Sequence, residues 1–422
     1  MTPFANGASV DPVALEIWQS FRPCATSEST RSTSYRECMS SPRHVCTTVY
    51  RGTDSRPGRG EQTLRQLTIV VTLVTLLAPC EAATPVSTDM PAPSRTVIKV
   101  AFVRDLSVPD ADEHALPAMQ AARLAFETAS LLDPTAAPVE LEEFDLQQGT
   151  VELDEIDADP SYVGVIVAPG VDGDAAGLDV DLPVVSLSGL GAGDGRQAWI
   201  RMVAPLVTIA DALAARLRRS SVCIFSESPA PDPLFGLLAE GLPDATAQGV
   251  EPAHAADAAR RAGCETVIWA GGPDAGGEAA PEIRLAGLTI IGGDRLLDPD
   301  FLSAAGTAAE GSFALCACAN VSTSTELAAR RFIQDYQSEH GVAPGAYAVE
   351  GWDAAHVILR AVGDGGVTRS VVSSSLDGLT EIDGLEGTHR FDANGEPLEP
   401  RALLRLYRVE GGRWVPAGWE EI

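Results

Sequence analysis

Two serine hydroxyls, Ser186 and Ser188, sit two residues apart in the run LPVVSLSGLG, residues 182 to 191. A serine at the end of an apolar run can be a nucleophile, a ligand contact or a cap for the next segment. Nucleophilic duty calls for a Gly-x-Ser-x-Gly turn, and neither serine has one. A carboxylate, Asp294, follows Gly292-Gly293 after a short apolar run, at the edge where parallel sheets bind small molecules. A second, Asp172, follows the run YVGVIV and suits either a ligand or the N-cap of the segment leading into AAGL. His44, His114, His254, His340, His356 and His389 are scattered without metal-ligand spacing, and no cysteine pair is spaced Cys-x-x-Cys. Gly271-Gly272 and Gly292-Gly293 lack the full dinucleotide fingerprint. The chemistry on offer is binding, with no enzyme signature, no metal and no cofactor.

The elements that must position these residues alternate along the chain. Val97 to Val103, Val139 to Phe144, Tyr162 to Val167 and Leu182 to Leu187 read as strands, with a helix over Leu116 to Ser130 whose apolar positions recur at three and four. A second set has strands at Ser221 to Phe225, Thr266 to Ala270, Thr289 to Gly292 and Gly311 to Ala317. Helices fall between them and over Pro205 to Arg218. This βαβ order predicts an α/β chain with two doubly wound parallel-sheet lobes in tandem. Long helices follow at Ser324 to His340 and Tyr347 to Val362. Then come a helix at Thr368 to Leu376, a hairpin region and a last strand at Leu403 to Val409. Trp269, ending a strand, reads as core. Trp352 and Asp353 read as a packing group and a surface group.

The chain has 422 residues, 45% of them hydrophobic, and a formal net charge of -29. Such a surface repels nucleic acid and anionic headgroups. The run LTIVVTLVTLL, residues 67 to 77, follows Arg51, Arg56, Arg59 and Arg65 and precedes small residues. It reads as an export signal, too short to span a membrane. LAPC, ending at Cys80, is also close to a lipoprotein processing box, with Pro79 where a small residue is usual. Residues 1–94 therefore read as a disordered leader, export signal and tether. The expected location is the cell surface or periplasm, with membrane contact only through a lipid anchor at Cys80.

GAYAVEGWDAAHVILRAV followed by IDGLEGTHRFDANGEP resembles the C-terminal signature of type I periplasmic solute-binding proteins, especially the leucine/isoleucine/valine-binding kind. VIKVAFV with AARLAFE, VGVIVAPGVDG, LPVVSLSG and FIQDYQSEHGVAPGAYA match further pieces in order. The resemblance implies two lobes joined by about three crossovers: residues 95–203 plus 319–397, and residues 204–318 plus 398–422. It implies capture of a small polar solute, an amino acid or amide-like molecule, by hinge closure and delivery to the permease of an ABC importer. A ligand-sensing or regulatory lipoprotein and a cell-surface hydrolase are the alternatives. It places ligand contacts at Asp172, Ser186, Ser188, Phe235 and Asp294. Asp172 replaces a family serine, Phe235 keeps a ring but lacks the hydroxyl, and Asp294 matches the acid that receives an ammonium. The resemblance puts Cys223 and Cys264 on or beside neighbouring strands, where they could pair or stay as buried free thiols.

Overall fold

In the computed structural model the described residues are 97–422, apart from 107–110, 134–135, 147–150, 173–181, 192–197, 228–232 and 364–366. The leader, Cys80 and the segment that Asp172 would cap fall outside them. The first strands and helices are β1 (Ile98–Arg104), α1 (Ala111–Leu132), β2 (Val139–Asp145), α2 (Val151–Ala158), β3 (Tyr162–Val167), β4 (Val184–Ser186) and β5 (Trp199–Arg201). They form a five-stranded parallel sheet in the order β2-β1-β3-β4-β5. β3 is buried at every position, as its unbroken apolar run requires in a sheet covered on both faces. β2, alternating apolar and acidic, takes the edge. β5 was not foreseen, because three residues give no periodicity to read.

The chain continues through α3 (Leu206–Leu217), β6 (Val222–Ser226), α4 (Pro233–Gly241), β7 (Thr246–Gly249), α5 (Ala255–Ala262), β8 (Thr266–Trp269), α6 (Pro273–Leu285), β9 (Thr289–Gly292), α7 (Pro299–Ala305) and β10 (Phe313–Cys316). It then forms α8 (Leu327–His340), α9 (Ala348–Gly363), α10 (Arg369–Asp377), β11 (Glu381–Gly384), β12 (Gly387–Arg390), β13 (Arg405–Glu410) and β14 (Arg413–Ala417). The second sheet runs β14-β13-β10-β9-β8-β6-β7, parallel except for antiparallel β13 and β14. β7, Thr-Ala-Gln-Gly, lacked an apolar signal.

The chain therefore passes from the first sheet to the second after β5. After β10 it returns to helices that pack beside the first sheet: α9 on α1, and α10 against β3 and β5. It joins the second sheet again at β13. The small residues of α9 have a direct cause. A Cβ on Gly351 would stand 2.1 Å from the Ala118 carbonyl oxygen, so glycine alone lets α9 lie this close to α1.

The hairpin region resolves into two turns. β11 and β12 pair with their turn at Leu385–Glu386. Asp392–Gly395 is a separate turn, in which the Asp392 carboxylate accepts the amides of Asn394 and Glu396 at 2.8 and 3.0 Å. Gly395 has φ +75°, and a Cβ there would meet the Trp199 carbonyl oxygen. Its own carbonyl accepts the Arg201 amide at 2.9 Å, docking the turn on β5.

Among the described residues two disulfides are formed, Cys223–Cys264 and Cys316–Cys318. The first joins β6 to the residue two before β8, its pairing neighbour, which decides between the pair and the free thiols that the sequence left open. Trp269 is core, with its indole N–H donated to the Gly272 carbonyl at 3.1 Å. Asp353 departs from the surface role expected of it. It is 3% exposed, and it accepts the Leu385 amide at 3.1 Å and meets His389 Nε2 at 3.0 Å. The helical period put Asp353 on the face that the β11–β12 hairpin covers, a contact between distant segments.

Candidate functional site

The five expected site residues lie at the carboxyl edges of the two sheets. Asp172 is exposed in the loop after β3. Ser186 closes β4 and Ser188 follows it, both buried. Their hydroxyls serve their own loop: Ser186 Oγ accepts the Ser188 amide at 3.2 Å, and Ser188 Oγ accepts the Leu190 amide at 3.1 Å. This is the capping role that the sequence left open beside ligand contact. On the second sheet, Phe235 is half-buried on α4 and Asp294 opens a 3-10 turn after β9. Their elements touch, since a Cβ on Gly293 would stand 2.9 Å from Leu234 Cδ2.

Two residues missed in the sequence organise this region. Arg201, the last residue of β5, is 1% exposed. Its Nη1 donates to the carbonyls of Ser188 and Leu190 at 2.5 and 3.1 Å, and its Nη2 to that of Gly191 at 2.7 Å. Its Nε donates to Glu396 Oε2 at 2.8 Å. One guanidinium thus fixes the loop that carries Ser188, using donors that water would otherwise satisfy. An arginine within the apolar stretch Trp199 to Val203 was the available signal.

Tyr347 immediately precedes α9, is 4% exposed and has φ 63°, an uncommon conformation for a non-glycine residue. Its hydroxyl donates to Asp294 Oδ2, while Asp294 Oδ1 accepts the Arg295 amide at 3.1 Å. Burial, and then the neighbouring Asp294 charge, push the Tyr347 phenol well above its ordinary range. The Tyr347 ring lies 5.4 Å from that of His114, near the start of α1. This hydrogen bond links the end of β9 in the second sheet to the α1–α9 pair beside the first. The link pairs Asp294, one of the five expected residues, with Tyr347, which was not among them.

A cavity of about 240 Å³ adjoins it, lined by Leu297, Ala346, Val349, Gln337, Tyr407 and Trp414 among others. That volume is somewhat below the roughly 300 Å³ at which ligand pockets begin, so it suits a compact solute. Its walls are mainly apolar, with amide and phenol groups able to orient a guest.

This arrangement of sheets and helices recurs among known proteins. The model of the family described as periplasmic binding protein matches residues 240–413. No curated protein matches the sequence. Among solved structures, the leucine-binding protein LivK from Thermotoga maritima is 17% identical, with 76% of this chain and 98% of that one covered and a TM-score of 0.61. A possible leucine/isoleucine/valine-binding protein from Rhodopirellula baltica is 14% identical, with 79% and 99% covered and a TM-score of 0.65. A fatty acid ABC transporter substrate-binding protein from Thermomonospora curvata is 14% identical, with 77% and 92% covered and a TM-score of 0.63. The chain has the type I periplasmic-binding-protein fold, and its structural neighbours are substrate-binding proteins rather than enzymes. Among the described residues no helix is long and apolar enough to cross a membrane.

Proposed function

We propose that this protein is exported, captures a small polar solute between two lobes, and presents it to the permease of an ABC importer. The lobes are residues 95–203 plus 319–397 and residues 204–318 plus 398–422. The observation that carries the reading is the Tyr347–Asp294 hydrogen bond, because it joins elements of the two sheets at the carboxyl edge where such folds bind ligands. Closure then follows from differential affinity: a solute that touches both edges favours the closed population.

Three features bear on the solute. Asp172 adds a negative charge where a family serine would meet a carboxylate, disfavouring a free carboxylate there. Phe235 supplies a ring without a hydroxyl. Asp294 already accepts the Tyr347 hydroxyl, so an incoming ammonium must share or displace it. Cationic, amide or hydroxyl-rich solutes fit these groups better than an aliphatic amino acid.

A thermal-shift screen with amino acids, amides, polyamines and sugars tests this, since a ligand of the folded state raises its melting temperature by mass action. With the best hit, Asp172→Ser should weaken binding by about 10- to 150-fold, the ~1.5–3 kcal/mol of a charge-assisted hydrogen bond. Unchanged affinity in both Asp172→Ser and Asp294→Ala refutes this placement of the site.

A further inference from the structure

A second cavity, of about 180 Å³, lies where the chain passes between the sheets. Met202 lines it from the crossing after β5, Ala319 from the crossing after β10, and Leu403 from the crossing before β13. Its polar wall includes Glu350, Asp353, Glu386, His389 and Arg405.

Glu350 is the unusual member. It projects from α9 and is 5% exposed. Its Oε1 accepts the Ala319 amide at 2.7 Å, while its buried Oε2 has no hydrogen-bond partner. The same crossing is held beside it by the Cys316–Cys318 disulfide and by the Tyr407 hydroxyl, which donates to the Cys318 carbonyl at 3.0 Å. The groups facing Glu350 come from every neighbouring element. Asp353 and Tyr347 belong to α9 and its start. Glu386 stands in the β11–β12 turn, His389 on β12, and Arg405 and Tyr407 on β13. Arg405 faces Glu386 at 3.7 Å and His389 Nε2 faces Asp353 at 3.0 Å, so each basic side chain already has another carboxylate as its partner.

A buried carboxylate oxygen without a partner is costly when charged and tolerable as part of a neutral acid. Burial pushes the Glu350 carboxyl up to about 8, against the Ala319 and Glu350 amides, whose hydrogen bonds favour the charged form; repulsion from Asp353 and Glu386 adds a smaller upward push. At neutral pH the group is therefore mostly protonated.

We infer that Glu350 is a proton-controlled clamp on the crossing after β10. Protonated, it bridges α9 to Ala319 and holds the crossing in its compact arrangement. Ionised, it needs solvation that this arrangement denies it, so water enters the cavity and the crossing is released. The local release stands on the contacts above. Its extension to opening of the lobes rests on the hinge-closing reading.

The test is amide hydrogen exchange at Ala319 in the full chain from pH 6 to 9.5, corrected for intrinsic base catalysis. The wild type should lose protection by about tenfold per pH unit from pH 6 to 8 and level off above 8, and Glu350→Gln should hold its protection throughout. Equal loss in the variant, or no loss in the wild type, overturns the clamp. Should Glu350→Gln not fold, carboxyl-carbon NMR of the wild type decides: a Glu350 midpoint below pH 6 overturns the proposal, and one near 8 supports it. Small-angle scattering of the same samples separates the two claims. A rise in radius of gyration that tracks the Ala319 release supports opening. A constant radius with release at Ala319 overturns the hinge-closing extension while supporting the local clamp.

Discussion

Replacing Arg201 by leucine should be among the most damaging single changes in the first sheet. The guanidinium is 1% exposed and makes four hydrogen bonds, three to the carbonyls of Ser188, Leu190 and Gly191 and one to Glu396. Leucine fills much of the volume but leaves three carbonyl oxygens and the Glu396 carboxylate, 25% exposed, without their donor. A hydrogen bond to a charged group contributes about 1.5–3 kcal/mol, and these four share one side chain, so they do not add. Breaking a buried ion pair from one side costs about 3–5 kcal/mol. Because Glu396 regains water, the lower part of that range, about 3–4 kcal/mol, is the expected loss. That is a large fraction of the roughly 5–15 kcal/mol margin of a folded domain. Urea unfolding followed by circular dichroism measures it. Glu396→Gln should cost less, about 1.5–3 kcal/mol, since it keeps an acceptor for Nε and the three carbonyls still solvate the buried Arg201 charge, which loses its counter-ion. A loss below about 1 kcal/mol in Arg201→Leu would show that the Ser188 loop does not depend on this guanidinium.

Three further outcomes are expected. Replacing Cys223 and Cys264 together by serine should lower stability by about 4 kcal/mol, from the chain-entropy cost of a closed loop with a sequence separation of 41. The same change at Cys316 and Cys318, separated by 2, should cost much less, about 1.5 kcal/mol, by urea titration. Glu350→Gln should be more stable than wild type by about 3 kcal/mol at pH 7 and show no gain near pH 4. The folded carboxyl sits near 8 against 4.5 unfolded, so the folded state binds more protons between these values, and wild-type stability falls as pH rises through that window. A Glu350→Gln gain that does not grow from pH 4.5 to 8 contradicts this sign. Mass spectrometry of surface-extracted protein should find a chain beginning near Cys80 or Ala83. Intact Met1 would defeat the export reading, and unchanged membrane association in Cys80→Ser would leave secretion without a lipid anchor.

The sequence by itself determined the α/β class. Apolar runs such as YVGVIV are strands because only a doubly covered parallel strand buries every side chain, and the helices between them carry the three-and-four spacing of one buried face. It also placed Ser186, Ser188, Asp172 and Asp294 at strand ends, since a site at the carboxyl edge is written into the order of strand, loop and helix. Short or polar pieces such as β5 and β7 stayed illegible, because their strand character comes from pairing with neighbours rather than from their own residues. Only tertiary structure decided what the polar side chains do. Asp294 meets Tyr347 across 53 residues, Arg201 meets Glu396 across 195, and Glu350 meets Ala319 across 31. No local pattern encodes these pairs. An arginine, a tyrosine and a glutamate in a helix or strand look like surface groups until a distant segment covers them. Once covered, the cost of removing them from water requires each to have a partner or, as at Glu350, to hold its proton.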